Sequence, residues 1–488
     1  MTAIFDSAAE ARLAALAERA RDELAATAFA TKPWVTPRYE NSERIADVAI
    51  IGGGQSGLFL GHALARAGVD NIAVLDRSPQ GYEGVWETYA RMHEIRSPKE
   101  VSGGEGAIPS LSVRSWFIAR HGRAAWDAIE RVPRTDWMAW LRWYRSVVDV
   151  PIENDIAVTD IDFDADGVTL ETRKAGAVGK VRARLVVLAT GMDGGGRWTV
   201  PSFIENALPP ARYNHTSDII DVKALVGKRI GILGAGAAAF DMAVAALVAG
   251  AASVDMFMRR PRLPLVDLVR DFETAGHLGH AHELSDETKW ALSSLLGGLS
   301  QSPAEHHFNK AWSFDNFRMH LGSPWETIGM DGDAITVTTP KATFRFDHVV
   351  AATGVTVDMA LRPELRRIAA HAALWRDRFV PPADDPAPGR LGFPYLNRSY
   401  QFQPRIPGEA PGIERIFAFN ALGAMSMGGI SQVSISSHKF GLPRLVRAIT
   451  GLLFREQEAG ILSSLARERP PSIRIESRIR AALGMAED

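Results

Sequence analysis

A chain of 488 residues, 46% hydrophobic and 23% charged, has the composition of a soluble globular protein with room for two or three domains. With 55 basic and 57 acidic residues its formal net charge is -2 and no charge block stands out, which argues against nucleic acid or an anionic membrane as the main partner. It contains no cysteine, so disulfides, thiolate metal sites and a catalytic thiol are excluded. Met1 to Asp6 lacks the basic and apolar segments of a signal peptide, and no run reaches the roughly 18 apolar residues of a membrane span. A cytoplasmic protein is expected.

Residues 7–29 are rich in Ala, Leu, Glu and Arg, which predicts a helix, and Lys32-Pro33-Trp34-Val35-Thr36-Pro37 ends it. This arm is expected to pack on the body or to serve an oligomer such as a homodimer. Ala46 to Ile51 reads as a buried strand, Leu58 to Ala67 as a helix, and Asn71 to Leu75 as a second strand ending at Asp76. Over 136–147 the residues Trp137, Trp140 and Tyr144 share one helical face, for which core packing is the expected role. Residues 153–172 read as a strand pair around Asp164-Ala165-Asp166-Gly167. Leu185 to Gly191 is a buried strand ending in Ala189-Thr190-Gly191, and Val349 to Gly354 nearly repeats it with Ala352-Thr353-Gly354. Arg229 to Gly234 and Val254 to Phe257 are the first two strands of a second unit. The proline-rich stretch 377–412 is expected to wrap over the domains. Ile416 to Phe419 then reads as a strand and Ser434 to Phe454 as largely helix.

Each unit carries a glycine-rich turn, Gly52-Gly53-Gly54-Gln55-Ser56-Gly57 in one and Gly234-Ala235-Gly236-Ala237-Ala238-Ala239 in the other. Between a strand and a helix, such a turn seats a dinucleotide pyrophosphate on the helix N-terminus. Gly52 permits the bend, Gly54 lets the backbone approach the pyrophosphate, and Gly57 lets helix and strand pack closely. Asp76, roughly 20 residues past Gly57, is placed to accept hydrogen bonds from ribose hydroxyls. The second turn has Ala239 in the third place, and its second strand ends in Met258-Arg259-Arg260-Pro261-Arg262. An arginine there pairs with a 2′-phosphate, so NADPH is expected rather than NADH. The fold class is therefore α/β, with two Rossmann-like dinucleotide-binding domains, the second inserted in the first. Two different dinucleotides point to electron transfer between them, and the absence of cysteine removes a dithiol as its destination.

Three further segments carry a family resemblance. Gly84-Val85-Trp86 resembles the Gly-x-Trp segment that lies against FAD in class B flavin monooxygenases. Arg96-Ser97-Pro98-Lys99-Glu100 resembles their Asn-x-Pro-Lys-Glu segment, and Tyr213-Asn214-His215-Thr216-Ser217-Asp218 resembles part of the linker fingerprint before the NADPH turn. The two Ala-Thr-Gly strands recur in the same family, and the resemblance covers most of residues 45–440. It implies FAD at the first turn and NADPH at the second, with the NADPH domain inserted in the FAD domain. The boundaries that follow are an N-terminal helical arm (1–40), an FAD-binding domain in two parts (41–200 and 350–488, the latter with C-terminal helices) and an NADPH-binding domain (201–349). The cofactor-binding residues would be Gly52, Gly54, Gln55, Ser56, Gly57, Asp76, Arg77, Gly84, Val85, Trp86, Thr190 and Gly191, then His215, Ser217, Gly234, Gly236, Ala237, Ala238, Arg259, Arg260, Thr353 and Gly354. In the segment Met425 to Gln432, the resemblance places Ser431 and Gln432 at the flavin edge; helix capping by Ser431 is the other reading.

Departures from the family pattern matter as much. Pro209 and Ala211 stand where the fingerprint has an aromatic residue and a glycine, and Arg96 occupies the place of the family's asparagine. Residues 305–310 offer no match to the arginine used by the Baeyer–Villiger subgroup. Arg96 has two readings: a catalytic cation, which would lean the chemistry toward carbonyl or electron-poor ring substrates, or a buried ion-pair partner. The resemblance implies a single-component FAD/NADPH-dependent monooxygenase. It would form a C4a-peroxyflavin from O2 and oxygenate nitrogen, sulfur, or a carbonyl or heteroaromatic carbon of a small organic substrate. The alternative is an NADPH-dependent flavin reductase or dehydrogenase that passes electrons to a partner. His277, His280, His282 and Glu283 have metal-like spacing, but Gly276 and Gly279 suggest a flexible loop, and no metal is expected.

Overall fold

The computed structural model describes residues 7–299, 302–385, 388–429, 433–467 and 473–485. The predicted N-terminal helix is α1 (Ser7–Ala26), which lays Ala9, Leu13, Leu16, Ala17 and Ala20 on the body of its own chain. Glu10 on this helix pairs with Arg120 at 2.8 Å. The arm therefore packs, as one of the two expectations held.

The first unit opens with β1 (Ala46–Ile51), buried at every position as a parallel strand covered on both faces must be. Helix α2 (Gln55–Arg66) follows, beginning within the turn at Gln55 rather than at Leu58. Next come β2 (Ile72–Leu75), α3 (Arg134–Val148) and β3 (Ile152–Glu153). The predicted strand pair is β4 (Ala157–Phe163) with β5 (Val168–Lys174), and it continues into the long β6 (Ala177–Leu188). The second unit holds β7 (Tyr213–His215), β8 (Arg229–Leu233), α4 (Ala237–Ala249), β9 (Ser253–Met258) and α5 (Glu305–Trp312). It goes on through β10 (Phe317–Leu321), β11 (Thr327–Asp331), β12 (Ala334–Thr338), β13 (Thr343–Phe346) and β14 (His348–Ala351). The chain then returns to the first sheet as β15 (Ile416–Ala418) and ends its main body with α6 (His438–Arg455).

The two units share their strand order over four strands, while the outermost strand comes last in sequence in the first unit (β15) and first in the second (β7). The parallel strands run β3-β2-β1-β6-β15 in the first sheet and β10-β9-β8-β14-β7 in the second. Each carries an antiparallel meander, β4-β5-β6 in one and β11-β12-β13 in the other. In the first unit β6 serves both purposes: up to Ala183 it pairs antiparallel with β5, and from Ala183 to Leu188 it pairs parallel with β1. In the second unit the same path is split at Asp347, whose carboxylate accepts from the Arg229 backbone (2.9 Å) and guanidinium (2.7 Å). The stretch 377–412 is irregular, as expected, and is stitched to its neighbours by single bridges such as Leu374 with Pro394 and Gln401 with Phe417.

The aromatic face of α3 is core. Trp137, Trp140 and Tyr144 are buried, and Phe59 of α2 sits 5.7 Å from Trp140 and 5.2 Å from Tyr144 between ring centroids. Tyr144 Oη donates to the Gly104 carbonyl at 2.7 Å, which leaves its lone pair for His62 Nδ1 at 2.5 Å. No described helix is long and apolar enough to cross a membrane.

One buried cation closes the first unit. The Arg184 side chain on β6 is 4% exposed and lies 2.9 Å from Asp47 and 2.7 Å from Glu456 at the end of α6. Burial pushes the Asp47 carboxyl up even with this arginine beside it. Removing the cation would strand a buried carboxylate, so Arg184→Ala is expected to cost about 3–5 kcal/mol in urea unfolding. Arg182→Ala, whose partners are the half-buried Glu40 and the exposed Asp164, should cost less, about 1 kcal/mol.

Candidate functional site: two dinucleotide cradles and their junction

At both turns a glycine is required by the same contact. Gly52 has φ +104°, and a Cβ on it would lie 2.5 Å from the Ala189 carbonyl oxygen; Gly234 has φ +118°, and its Cβ would lie 2.4 Å from that of Ala352. The Ala-Thr-Gly strand ends thus press on the two turns in the same way. Gly191 and Gly354 then turn the chain aside with φ +75° and +79°. Between Gly57 and Gly52 the approach is closer still, since a Cβ on Gly57 would meet the Gly52 oxygen at 1.8 Å.

The first cradle opens into a cavity of about 480 Å³ lined by Gly53, Gly54, Gln55, Glu83, Arg145 and Ile152 among others. Gly84 faces Gly54, with its Cα 3.4 Å from where a Gly54 side chain would begin. The open cavity and the bare backbone on both sides of it fit a dinucleotide. Asp76 is buried, and its two oxygens accept from the backbone N–H of Gly53 and Ser78, each at 2.7 Å. It therefore pins the turn, and only its second lone pairs remain for a ribose. Arg77 is exposed, with Asp193 3.7 Å away. Trp86 is buried 6.1 Å from Trp137, beside half-buried Val85, and its carbonyl accepts from Arg134. Gln55 accepts from the Trp137 indole at 3.2 Å, and Thr190 Oγ1 accepts from Asn420 Nδ2 at 3.0 Å.

The Ser56 side chain is a correction. It points into the core, 2.9 Å from His438 Nε2, so only its backbone N–H is left for a ligand. His438 Nδ1 lies 3.1 Å from the Ile435 carbonyl and must donate there, which makes Nε2 the acceptor and Ser56 the donor. Glu83, Arg145 and Asn154 form a hydrogen-bonded group at the cavity wall (Glu83 to Arg145 2.6 Å, to Asn154 2.7 Å) that the sequence reading missed. The only signal for it was that Glu83 directly precedes Gly84-Val85-Trp86. Asn420, buried just after β15, was missed as well.

At the second cradle Gly236 and Ala238 are exposed, and no protein atom lies within 4 Å of where a Gly236 side chain would begin. The N-terminus of α4, with Ala237 and Ala238 as its first residues, is thus open to an anion. Arg259 is exposed at the end of β9, and the Arg260 carbonyl accepts from Gly322 at 2.8 Å. Thr353 Oγ1 donates to the Thr199 carbonyl at 2.9 Å. His215 is buried, its Nδ1 2.8 Å from Ser217 Oγ and its ring 5.4 Å from Trp198, and burial lowers its pKa. These two residues brace the linker between the units.

The junction of the units is charged. Arg96 Nη2 donates to Asp241 Oδ2 on α4 at 2.6 Å, and the other Asp241 oxygen is 2.7 Å from His307 Nδ1 on α5. Glu94 lies 3.8 Å from Arg131 and 3.2 Å from His306. Residues 275–283, expected as a flexible loop, are helical: Ala275–His280 forms a helix capped by Thr274, followed by a 3₁₀ turn at Ala281–Glu283. The Thr274 cap, which accepts from the His277 N–H at 3.2 Å, and the packing of Gly279 against Phe440 of α6 together offset the propensity cost of Gly276 and Gly279. Among the described residues no cluster of three or more His, Asp or Glu side chains could hold a metal ion. Ser431 and Gln432 lie outside the described residues.

Residues 49–265 match the family model described as pyridine nucleotide-disulphide oxidoreductase. Over 453 residues the chain is 39% identical to the FAD-dependent urate hydroxylase of Xanthomonas campestris pv. campestris, covering 93% of this chain and 95% of that protein. Among solved structures, the ornithine hydroxylase of Pseudomonas aeruginosa superposes with a TM-score of 0.65 at 17% identity, covering 84% of this chain and 100% of the other. The ornithine N-hydroxylase of Kutzneria sp. 744, a complex with reduced FAD, NADP+ and L-ornithine, gives 0.65 at 17%, covering 84% and 99%. At these identities the two structures speak for the fold.

Two outcomes are expected from this geometry. Gly57→Ala should lower the thermal unfolding temperature, because its Cβ overlaps the Gly52 carbonyl. Gly236→Ala should leave stability within about 0.5 kcal/mol and weaken NADP+ binding measured by calorimetry. Acid should also destabilise the fold. Burial pushes His62, His282, His348 and His438 down from 6.5 to about 4. Between these values the unfolded chain binds more protons, so their contribution is complete above pH 6.5 and falls away toward pH 4. An unfolding temperature that stays flat across that window would contradict the burial of these rings.

Proposed function

Because this chain belongs to the same family as the FAD-dependent urate hydroxylase, among the class B flavin-dependent monooxygenases, we propose that it is an FAD- and NADPH-dependent monooxygenase of urate or a closely related oxopurine. The observation that carries this reading is the likeness along nearly the whole of both chains, with both glycine cradles intact. FAD is held by the turn Gly52 to Gly57, by Asp76 and by Gly84 to Trp86, with Glu83 and Arg145 at the cavity wall. NADPH is held by Gly234, Gly236 and the first N–H groups of α4, with Arg259 and Arg260 on the 2′-phosphate. When bound, FAD supplies the carrier that accepts hydride from NADPH and, once reduced, activates dioxygen. With no cysteine in the chain, the dithiol chemistry named in the matching family model has no residues to act on.

The side chains at the junction support an acidic heterocycle as the substrate class. Asp241 and Glu94 at the junction each lie beside an arginine, Arg96 at 2.6 Å and Arg131 at 3.8 Å, which makes the site a poor acceptor for a further ammonium. Arg96, about one third exposed, gives one N–H to Asp241 and keeps others to donate to an acidic heterocycle. The domain roles follow, with 41–200 and 350–488 serving FAD and 201–349 serving NADPH. A cytoplasmic setting supplies the NADPH.

Purified enzyme given FAD, NADPH and air should consume urate and form an oxygenated product, while L-ornithine, L-lysine and cadaverine give none. NADPH oxidation that proceeds without any oxygenated product would favour the reductase instead. Replacing Arg259 and Arg260 together by Ala should raise KM for NADPH by about ten-fold with little change for NADH. Equal changes for the two would remove the 2′-phosphate role.

A further inference from the structure

We propose that Asp241 is a positioning residue for Arg96, with the buried His307 ring packed against Asp241 from behind, so that the cation at the site is assembled from both units. This rests on the reading of Arg96 as the cation that faces the substrate.

Arg96 lies in the first unit and Asp241 on α4 of the second, one turn from the residues that receive NADPH. Their 2.6 Å contact is a charge-assisted hydrogen bond through one of the five guanidinium N–H donors. Asp241 is backed by a buried ring. His307 is 3% exposed, its Nε2 accepts from the His93 backbone N–H at 3.4 Å, and its Nδ1 lies against Asp241 Oδ1 at 2.7 Å as a close contact without the alignment of a hydrogen bond. The Arg96 carbonyl is held as well, by a hydrogen bond from Arg131. Backbone and side chain of Arg96 are therefore both constrained.

Adhesion of the two units does not account for this arrangement. Glu94 already bridges them, between Arg131 of one and His306 of the other. A buried ion pair is also a poor source of stability, because desolvation offsets most of its attraction. Exposure is graded in a way adhesion does not need: the Asp241 and His307 side chains are 6% and 4% exposed, whereas that of Arg96 is 34% exposed. The anchor is buried and the cation it aims is open. A free arginine explores many rotamers, and fixing one of them through a rigid carboxylate is what a site requires for pre-organisation.

The test uses the FAD-loaded enzyme and two readouts, product formed per NADPH consumed and the change that urate causes in the absorbance of oxidised FAD without turnover. Asp241→Asn should keep FAD loading and hold KM for NADPH within about three-fold, while product yield and urate affinity fall roughly 10- to 100-fold. Asp241→Glu should recover part of the loss. Arg96→Gln should show the same loss, and the double variant no further one. If Asp241→Asn matches the wild type while Arg96→Gln loses both readouts, the positioning role is overturned and the cation stands. If Arg96→Gln itself changes neither readout, the reading of Arg96 fails. Should Asp241→Asn not fold, His307→Gln replaces it; a smaller loss in both readouts supports the proposal, and wild-type values overturn it.

Discussion

At each turn a glycine Cα is pressed against the carbonyl at the end of a neighbouring strand, and the rest of the molecule is arranged around that approach. Neither Gly52 nor Gly234 has room for a side chain, so the strand, the turn and the following helix can come together only as they do. The approach aims the free N–H groups of α2 and α4 outward, at the point where strand order reverses in each sheet. Both ligand sites are consequences of backbone geometry before any side chain is considered. The third position shows how far the copies have diverged: Gly57 lets α2 lie on the Gly52 carbonyl, while Ala239 carries a methyl group into the corresponding interface.

Side chains then decide what the two cradles do together. The loop carrying Glu94 and Arg96 meets α4 and α5 across a boundary lined with charges of both signs. Each acid there stands between an arginine and a histidine, so the boundary is close to electrically balanced and strongly directional. Such a surface contributes little to affinity between the units and much to their register. Register matters because one unit carries the donor of electrons and the other the acceptor.

What was legible in the sequence was local. Apart from Asp47, Ala46 to Ile51 is apolar, Trp137, Trp140 and Tyr144 keep a helical period, and the repeated Ala-Thr-Gly endings mark the duplication; each of these signals sits in a window of a few residues. What was not legible depends on residues far apart in the chain. Ser56 belongs to a glycine motif that reads as ligand-binding, yet its hydroxyl is taken by His438. Asp76 reads as a ribose acceptor, but its short side chain reaches back to Gly53. Arg96 stood open between two roles, and its partner Asp241 lies in an Ala-rich helix where nothing marks it. Residues 275–283 read as a loop from their two glycines, whereas in the fold the Thr274 cap and packing against α6 hold them helical.

The path of β6 has a consequence for how the molecule is made. Its C-terminal half lies between β1 and β15, so the first sheet lacks its outer parallel strand until residue 416 has been synthesised. The second unit draws all its sheet strands from residues 213–351 and is complete well before then. The inserted unit thus has its whole sheet available before the host has, and the host sheet is completed through a contact of very long sequence separation. During that interval the edge of β6 that β15 covers presents unpaired backbone N–H and C=O groups to any strand within reach.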